Sequence, residues 1–484
     1  MGKTQRLLAT ALLGAAHSAT AETVDFDITD SSSTKNASGT IAESIIRRYN
    51  DQPAPLIPGI FTLETNGNQN WPWYGSGMIW DSLINYWGQT GDDQFNDLIQ
   101  QGLYFQTGEH EDFLPANQTS MEGNDDQAVW ALAAMTAAEV GFPEPRDSDT
   151  SYLQLAQNVF DSQAARWDSD TCKGGLRWQI FAFNNGYNYK SSSANGAFFQ
   201  LAARLGRFTG NQTYYNWAER VLQWSKDSRI VQKGISSGQS WAVFDGADAT
   251  QNCSEINHLQ LSFSLALYLQ GAAYLSNSTG ANSNTSSMVD FVDGLLSTVS
   301  DSFIKNQTGI LQETACSSFD TCATDMRAFL GSLSRALATT QYFIPSTSDK
   351  IAPILQSSGT AAAKACPDGD VCDYNWTGSG QSTSEFDFGS DLSTLNTLVA
   401  NLGLAQVRTS DDGNAASTPT NSGGNSTATS TGTDNGSSSG SDNPSSSAAP
   451  SSGAADAGNG AVSLAGSSGM VALGIALVAL VQLV

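Results

Sequence analysis

Between residues 24 and 408 apolar side chains recur at three- and four-residue spacing, and sustained alternation of apolar and polar positions is almost absent. A period near 3.6 marks helices with one buried face, whereas a period of two marks half-buried strands. The strongest runs lie at residues 41–49, 78–87, 95–105, 125–140, 152–166, 196–206, 214–224, 259–275, 288–299, 326–340, 350–357 and 392–404. They predict an all-α chain of about twelve helices. A weak repeat orders them: Thr90-Gly91-Asp92, Thr209-Gly210-Asn211 and Thr279-Gly280-Ala281 each stand between two runs. Gly takes the left-handed conformation that ends a helix, and a following Asp or Asn can cap the next one. The glycines are 119 and 70 residues apart, close to multiples of ~60, about two helices with their loops. Such hairpins predict a six-hairpin α/α toroid forming a single catalytic domain, with inner helices as a barrel and long loops shaping a cleft at one end. A superhelical solenoid uses the same hairpins, but no polar capping repeat is evident at either end, which favours closure.

Both ends read as processing signals. Lys3 and Arg6 precede an apolar run at 7–16 and the small residues Ala19-Thr20-Ala21, the order of a secretory signal peptide over 1–21. Residues 470–484 carry no charge, are too few to span a bilayer comfortably, and lack a basic stop after them. Ahead of them stand Asn459-Gly460-Ala461 and a spacer at 462–469. This is the layout of a GPI-attachment signal over 459–484, with Asn459 the expected attachment residue. A marginal single-pass anchor is the plain alternative. Residues 409–458 are almost wholly Ser, Thr, Gly, Asn, Ala, Asp and Pro without an aromatic residue. Such a segment cannot bury enough apolar area to offset its ordering entropy, so a solvated, O-glycosylated stalk is expected after a folded domain at 22–408.

Sequons at Asn36, Asn117, Asn211, Asn252, Asn277, Asn284, Asn306, Asn375, Asn425 and Asn435 fit a chain that passes through the secretory pathway. Localisation is therefore expected at the outer face of the plasma membrane. Six cysteines allow 15 pairings; the short spacings Cys316/Cys322 and Cys366/Cys372 close small loops and leave Cys172 with Cys253.

Charge removes other classes. The 484 residues hold 22 basic against 47 acidic side chains, a net charge of -25, the wrong sign for binding nucleic acid or for docking through a polybasic face. Contact with membrane is expected only through the GPI anchor. His17, His110 and His258 lie far apart and no Cys-x-x-Cys pair occurs, so neither a metal site nor a cofactor is expected. There is no Gly-x-Ser-x-Gly elbow and no Gly-Lys-Ser/Thr loop. Scarce His also weakens Ser/His and Cys/His schemes.

The sharpest local feature is Gly123-Asn124-Asp125-Asp126-Gln127, opening a helical run. With Asn124 as N-cap, both aspartates fall in the first turn, where acids stabilise a helix and need no further role. The same geometry serves chemistry. Neighbours on a helix splay about 100° apart, so two carboxyl groups can stand ~5–6 Å apart across one sugar, near the spacing of retaining glycosidases. One acid must then stay ionised while the other holds a proton, and spacing does not say which. Aromatic and amide residues crowd Trp71-Pro72-Trp73-Tyr74, the stretch at 184–190, and Trp241 to Gly246, a mixture suited to the apolar faces and hydroxyl rims of sugars. For a single Trp, core packing is the commoner fate. Trp73, Asn124, Asn185, Tyr189 and Asp245 are the candidate substrate contacts. Asp93, Asp97 and Asp112 read as solvated or capping acids, and His110 and His258 as structural or surface residues.

Phe113-Leu114-Pro115, Asn117-Gln118-Thr119, Gly123 to Gln127, Gln163 to Trp167, Gly174-Gly175-Leu176-Arg177-Trp178-Gln179-Ile180, Asn184 to Lys190 and Leu201 to Leu205 together resemble glycoside hydrolase family 76. The likeness is to its fungal GPI-anchored branch of mannan endo-1,6-α-mannosidases, which serve cell-wall biogenesis, and it covers most of 49–404. It implies an α/α toroid, Asp125 as nucleophile, Asp126 as general acid/base and Asp245 as a mannose contact. It further implies an α-mannan or GPI-core glycan donor and a cell-wall glucan acceptor, handled by a monomer. Gly75 stands where relatives often carry an acid and Tyr74 replaces a Trp. Ser262-Phe263-Ser264, Leu330 and Ser191-Ser192-Ser193 also depart from the family pattern. These departures are expected to touch subsites and not the aspartate pair. Hydrolysis and transglycosylation both remain open, as do a noncatalytic mannan-binding wall protein and a purely structural spacer.

Overall fold

Six helices, each buried nearly all round, alternate along the chain with six that bury one face. This alternation appears in a computed structural model that describes residues 26–409, apart from 54–55, 63, 66–67, 70, 147, 235–237, 279–284, 305–306, 368, 370, 379–385 and 404–407. The inner helices are α2 (Trp73–Thr90), α4 (Asn124–Val140), α6 (Ser192–Thr209), α8 (Ser262–Ser276), α10 (Phe329–Phe343) and α12 (Phe388–Asn401); the outer ones are α1 (Ser31–Asn50), α3 (Asn96–Phe105), α5 (Tyr152–Ala165), α7 (Gln212–Asp227), α9 (Thr285–Ser302) and α11 (Ser348–Lys364). Each inner helix packs on the next inner helix, and α12 returns to α2, so the ring closes. The last inner helix, α12, also packs on the first outer one, α1. The two ends of the domain thereby form the sixth hairpin. The toroid is the fold expected, and each of the twelve runs lies on a helix.

Contrasting sequence patterns explain the two layers. In α8 every residue from Ser262 to Leu275 is buried, because neighbours crowd all its sides. In α7 burial falls on Tyr214, Tyr215, Ala218, Val221, Leu222, Trp224 and Ser225, one stripe at helical spacing. Gly91 and Gly210 end α2 and α6 with φ of 75° and 67°, as the repeat predicts. Gly141 ends α4 in the same conformation, φ 69°, without the preceding Thr. Gly280 lies outside the described residues. Connections from inner to outer helices are short, such as 210–211, whereas the returns run long, as at 166–191 and 228–261. All six inner N-termini and all the long returns therefore share one end of the ring.

The barrel is filled. Arg204 and Glu139 form an ion pair of 2.7 Å with both side chains almost wholly buried, and Tyr274 donates to Glu139 at 2.7 Å. Beside this network a cavity of about 50 Å³ touches Asp81, Gln200 and Arg335. Three short antiparallel sheets escape the helical pattern. β1 (Glu64–Thr65) pairs with β2 (Asn68–Gln69), β4 (Val231–Lys233) with β5 (Trp241–Val243), and β3 (Tyr189–Ser191), β6 (Gly246–Asp248) and β7 (Ile256–Asn257) line up in that order. The three disulfides are Cys172–Cys253, Cys316–Cys322 and Cys366–Cys372, as spacing suggested.

Candidate active site

The start of α4 differs from expectation by one residue. Gly123, not Asn124, is the N-cap, with φ -88° and ψ 164°. Its backbone N–H donates to Asp126 Oδ2 at 2.6 Å, so the carboxylate itself caps the helix. Asn124 is instead a tie between segments. Its backbone N–H donates to the Trp178 carbonyl at 2.8 Å, its amide to the Arg177 carbonyl at 2.9 Å, and its Oδ1 accepts from Arg166 Nε at 2.9 Å. At 2% exposure, Asn124 is a buried structural tie and not the open substrate contact expected.

A Cβ on Gly123 would lie 2.5 Å from Asp125 Oδ1 and 2.7 Å from Asp126 Oδ2. The two oxygens are therefore at most twice the longer distance apart, too close for the ~6.5–9.5 Å of inverting pairs and compatible with the ~5–5.5 Å of retaining ones. Their surroundings are unequal. Burial raises Asp125, while the hydroxyl of Ser193, which donates to its Oδ2, the backbone N–H groups of 125 and 126, and the Trp178 indole all favour its ionised form. Burial raises Asp126 well above the usual carboxylate range; the Asp125 charge adds to this, and Asp325 and Glu122 push the same way. Asp126 is thus the acid that keeps its proton. The positive end of α4 acts on both.

Ser193 belongs to the departures expected to spare the aspartates. It sits in the first turn of α6 and bonds Asp125 directly, which corrects that expectation. Gly75 is explained by packing, since a Cβ there would meet the Trp71 indole at 2.7 Å. An acid reaches this region from another loop: Asp325 accepts from the Tyr74 hydroxyl at 2.8 Å, and both lie within electrostatic reach of Asp126. Asp325 stands 200 residues along the chain from Asp125 with no recognisable spacing, so only the closed ring reveals it. Glu122 was also missed. It is fully buried, burial pushes it up to about 7, and the Asp112 charge adds while Arg166 opposes. Asp112 is likewise buried, at 7% exposure, with its carboxyl raised by burial; it is neither the solvated nor the capping acid expected.

Trp73 requires correction. It is 2% exposed, stacks on Trp130 at 5.4 Å and donates from its indole to Gln106 at 3.0 Å, a core residue. Tyr189 and Asp245 come together: the Tyr189 hydroxyl donates to Asp245 Oδ2 at 2.6 Å, and Asn257 donates to the same oxygen at 3.0 Å. They reach the pair through the backbone, because Ser192 N–H donates to the Asp245 carbonyl at 2.7 Å one residue before Ser193. Asn185 is exposed on the loop beside Gly186, where a Cβ would strike Trp178 at 2.3 Å. His110 and His258 are exposed. Among sequons, Asn36, Asn117, Asn211, Asn252 and Asn277 are exposed. Asn375 is 8% exposed, and its Oδ1 accepts from the Thr377 hydroxyl at 2.9 Å. Asn284, Asn306, Asn425, Asn435, Asn459, the signal peptide and the attachment signal lie outside the described residues, as does all of the stalk but its first residue.

Residues 33–411 match the model of Glycosyl hydrolase family 76. The Saccharomyces cerevisiae protein named Mannan endo-1,6-alpha-mannosidase DCW1 is 37% identical over 379 residues, 78% of this chain and 80% of its own. The crystal structure of Dfg5 from Chaetomium thermophilum in complex with glucosamine superposes with a TM-score of 0.72 at 34% identity, covering 80% of this chain and 95% of that one. An inactive variant of the α-1,6-mannanase GH76A from Salegentibacter, in complex with α-1,6-mannotriose, shares the fold with a TM-score of 0.61 at 16% identity, covering 76% of this chain and 99% of that one. A paired-acid site at the open end of an α/α ring and a family match spanning the whole folded domain lead to one conclusion: this chain belongs to glycoside hydrolase family 76 and is a glycoside hydrolase.

Proposed function

We propose that the protein cleaves α-1,6-mannosidic linkages by double displacement and passes the mannosyl unit to a sugar acceptor. Asp125 attacks the anomeric carbon; the bond to the leaving oxygen breaks as Asp126 gives that oxygen its proton. Asp126, now ionised, then takes a proton from the incoming hydroxyl as that oxygen displaces Asp125. Water yields hydrolysis, and a glucan hydroxyl yields transfer. The observation that carries the reading is the unequal setting of two adjacent acids: one hydrogen-bonded by four donors, the other held by the Gly123 N–H among the charges of Asp125, Asp325 and Glu122. The names of relatives such as the yeast mannan endo-1,6-alpha-mannosidase support the linkage. Asp245, held by Tyr189 and Asn257, is assigned to the bound mannose.

The chain ends support a site of action outside the cell. A signal peptide at 1–21, a glycosylated stalk at 409–458 and GPI attachment at Asn459 would display residues 22–408 at the membrane face and wall, where GPI-linked mannan is the donor and wall glucan the acceptor. Incubating the enzyme with an α-1,6-mannosyl donor and a glucan oligosaccharide tests this. Mannosylated glucan is expected; free mannooligosaccharides alone would remove the transferase step. Mannan binding without turnover would replace the enzymatic reading by the adhesive one.

A further inference from the structure

The loop from Trp178 to Asn188 is fastened to the approach of the two acids. Gly123 pairs with Gln179 as an antiparallel bridge, and Ile180 N–H donates to the Glu122 carbonyl at 3.3 Å. The Asn184 amide donates to the Thr119 carbonyl at 3.0 Å and to Gln179 Oε1 at 3.2 Å. On this fixed loop the rings of Phe181 and Phe183 stack in parallel, centroids 5.3 Å apart and planes 13° apart, with Phe183 73% exposed. Trp178 is 37% exposed, and Met121, on the segment that Asn184 grips, 45%. Isolated apolar side chains on a surface are ordinary. A stacked pair of which the half-buried Phe181 holds Phe183 out to water on a bonded loop is not, because it forgoes burial that a floppy loop could provide. Phe183 lies four residues from Gln179, so its Cα is within about 14 Å of the residue that pairs with Gly123.

We propose that Phe181 and Phe183 form a distal carbohydrate platform, stacking one pyranose ring of an extended mannan chain whose reacting unit lies at Asp125 and Asp126. The inference rests on the mannan reading above and extends it to chain length. Parallel rings offer a flat apolar face for the C–H side of a sugar, and the exposed amides of Asn185 and Asn188 stand beside it for the hydroxyl rim. A lipid surface fits less well. The chain carries a net charge of -25, and the basic side chain of this loop's root, Arg177, is already engaged within the protein, bound to Asp168 at 2.8 Å and lying over Tyr187, so the loop offers no basic group to anionic lipid.

Calorimetric titration of the Asp125→Asn protein with α-1,6-mannotriose and α-1,6-mannohexaose tests the platform separately from catalysis. The hexaose is expected to bind at least roughly tenfold tighter, about 1.4 kcal/mol. Adding Phe183→Ala should remove most of that gain, Phe183→Leu should remove it as well, and Phe183→Trp should keep it. A gain that survives Phe183→Ala, or no gain at all, overturns the platform. Phe183-dependent binding to phosphatidylcholine vesicles in the absence of sugar overturns it in favour of a lipid contact. Turnover of hexaose by the unmodified enzyme reports on the catalytic reading alone: if it is absent while the Phe183-dependent gain persists, the platform stands and the catalytic assignment falls.

Discussion

Asp125 and Asp126 are identical in chemistry and adjacent in the chain, so any division of labour between them has to come from their neighbours. Ser193 is one such neighbour. Removing its hydroxyl takes away a hydrogen bond that favours the ionised Asp125, and the carboxyl rises further. The enzyme needs Asp125 ionised, so in Ser193→Ala the acid limb of the kcat/KM profile should move to higher pH, with a roughly tenfold loss on that limb; an unmoved limb would detach Ser193 from the chemistry. Gly123 is a second. Its φ suits any residue, but a Cβ would intrude on both carboxylates. Gly123→Ala should therefore cost ~1 kcal/mol of stability through the disturbed cap and cut kcat by ~100-fold or more, the scale of a 1 Å displacement of reacting groups. Both residues sit where the sequence shows only a small side chain, which is why the aspartates were legible and their keepers were not.

Among the elements, the helices were read from periodicity because each carries an apolar face whose spacing tertiary packing preserves. Their ends were read less well. α11 runs to Lys364, past Ser357-Ser358-Gly359-Thr360, because Gly359 lets the helix approach Asn401 and Ile28 closely; a weak helical sequence is overridden by a fit to neighbours. The strands β3, β6 and β7 were missed because two or three residues cannot display a period, and β3 in particular is fixed by a side chain. Lys190 is fully buried and its Nζ donates to the carbonyls of Asp168, Thr171 and Gly174 at 3.0, 2.8 and 2.6 Å, with Asp168 Oδ2 at 3.3 Å. This one ammonium closes the loop between α5 and α6 onto the strand that leads to Ser193. Lys190→Met keeps the volume and strands three carbonyls, so unfolding in urea should show a loss of ~3 kcal/mol. A loss below ~1 kcal/mol would mean that the Cys172–Cys253 disulfide holds the loop unaided.

The described domain is a ring whose active end gathers buried acids, and this has a cost in stability. Burial raises Asp112, Glu122, Asp125, Asp126, Asp245 and Glu313 above their unfolded values. In that window the folded chain keeps protons that the unfolded chain has released, so stability falls as pH rises from the ordinary carboxylate range through about 7. Asp168 has the opposite sign. Against the raising effect of its burial, Thr171, Lys190 and Arg177 hold it at about 2, and its contribution is lost as pH falls toward that value. The midpoint of thermal unfolding should accordingly be highest near pH 5 and lower at pH 7.5; a midpoint that climbs steadily to pH 7.5 would mean the acids are not buried as described. The ring also explains what spacing along the chain cannot show, since it brings Tyr74, Asp126, Ser193 and Asp325 to one end from four different inner-helix entrances. The most direct measurement of what they do there is to trap the reaction with a fluorinated α-mannosyl donor that slows breakdown of a covalent intermediate, and to sequence the labelled peptide by mass spectrometry. The mannosyl label is expected on Asp125; a label on Asp126, or turnover that inverts the anomeric centre without any label, would contradict the assignment.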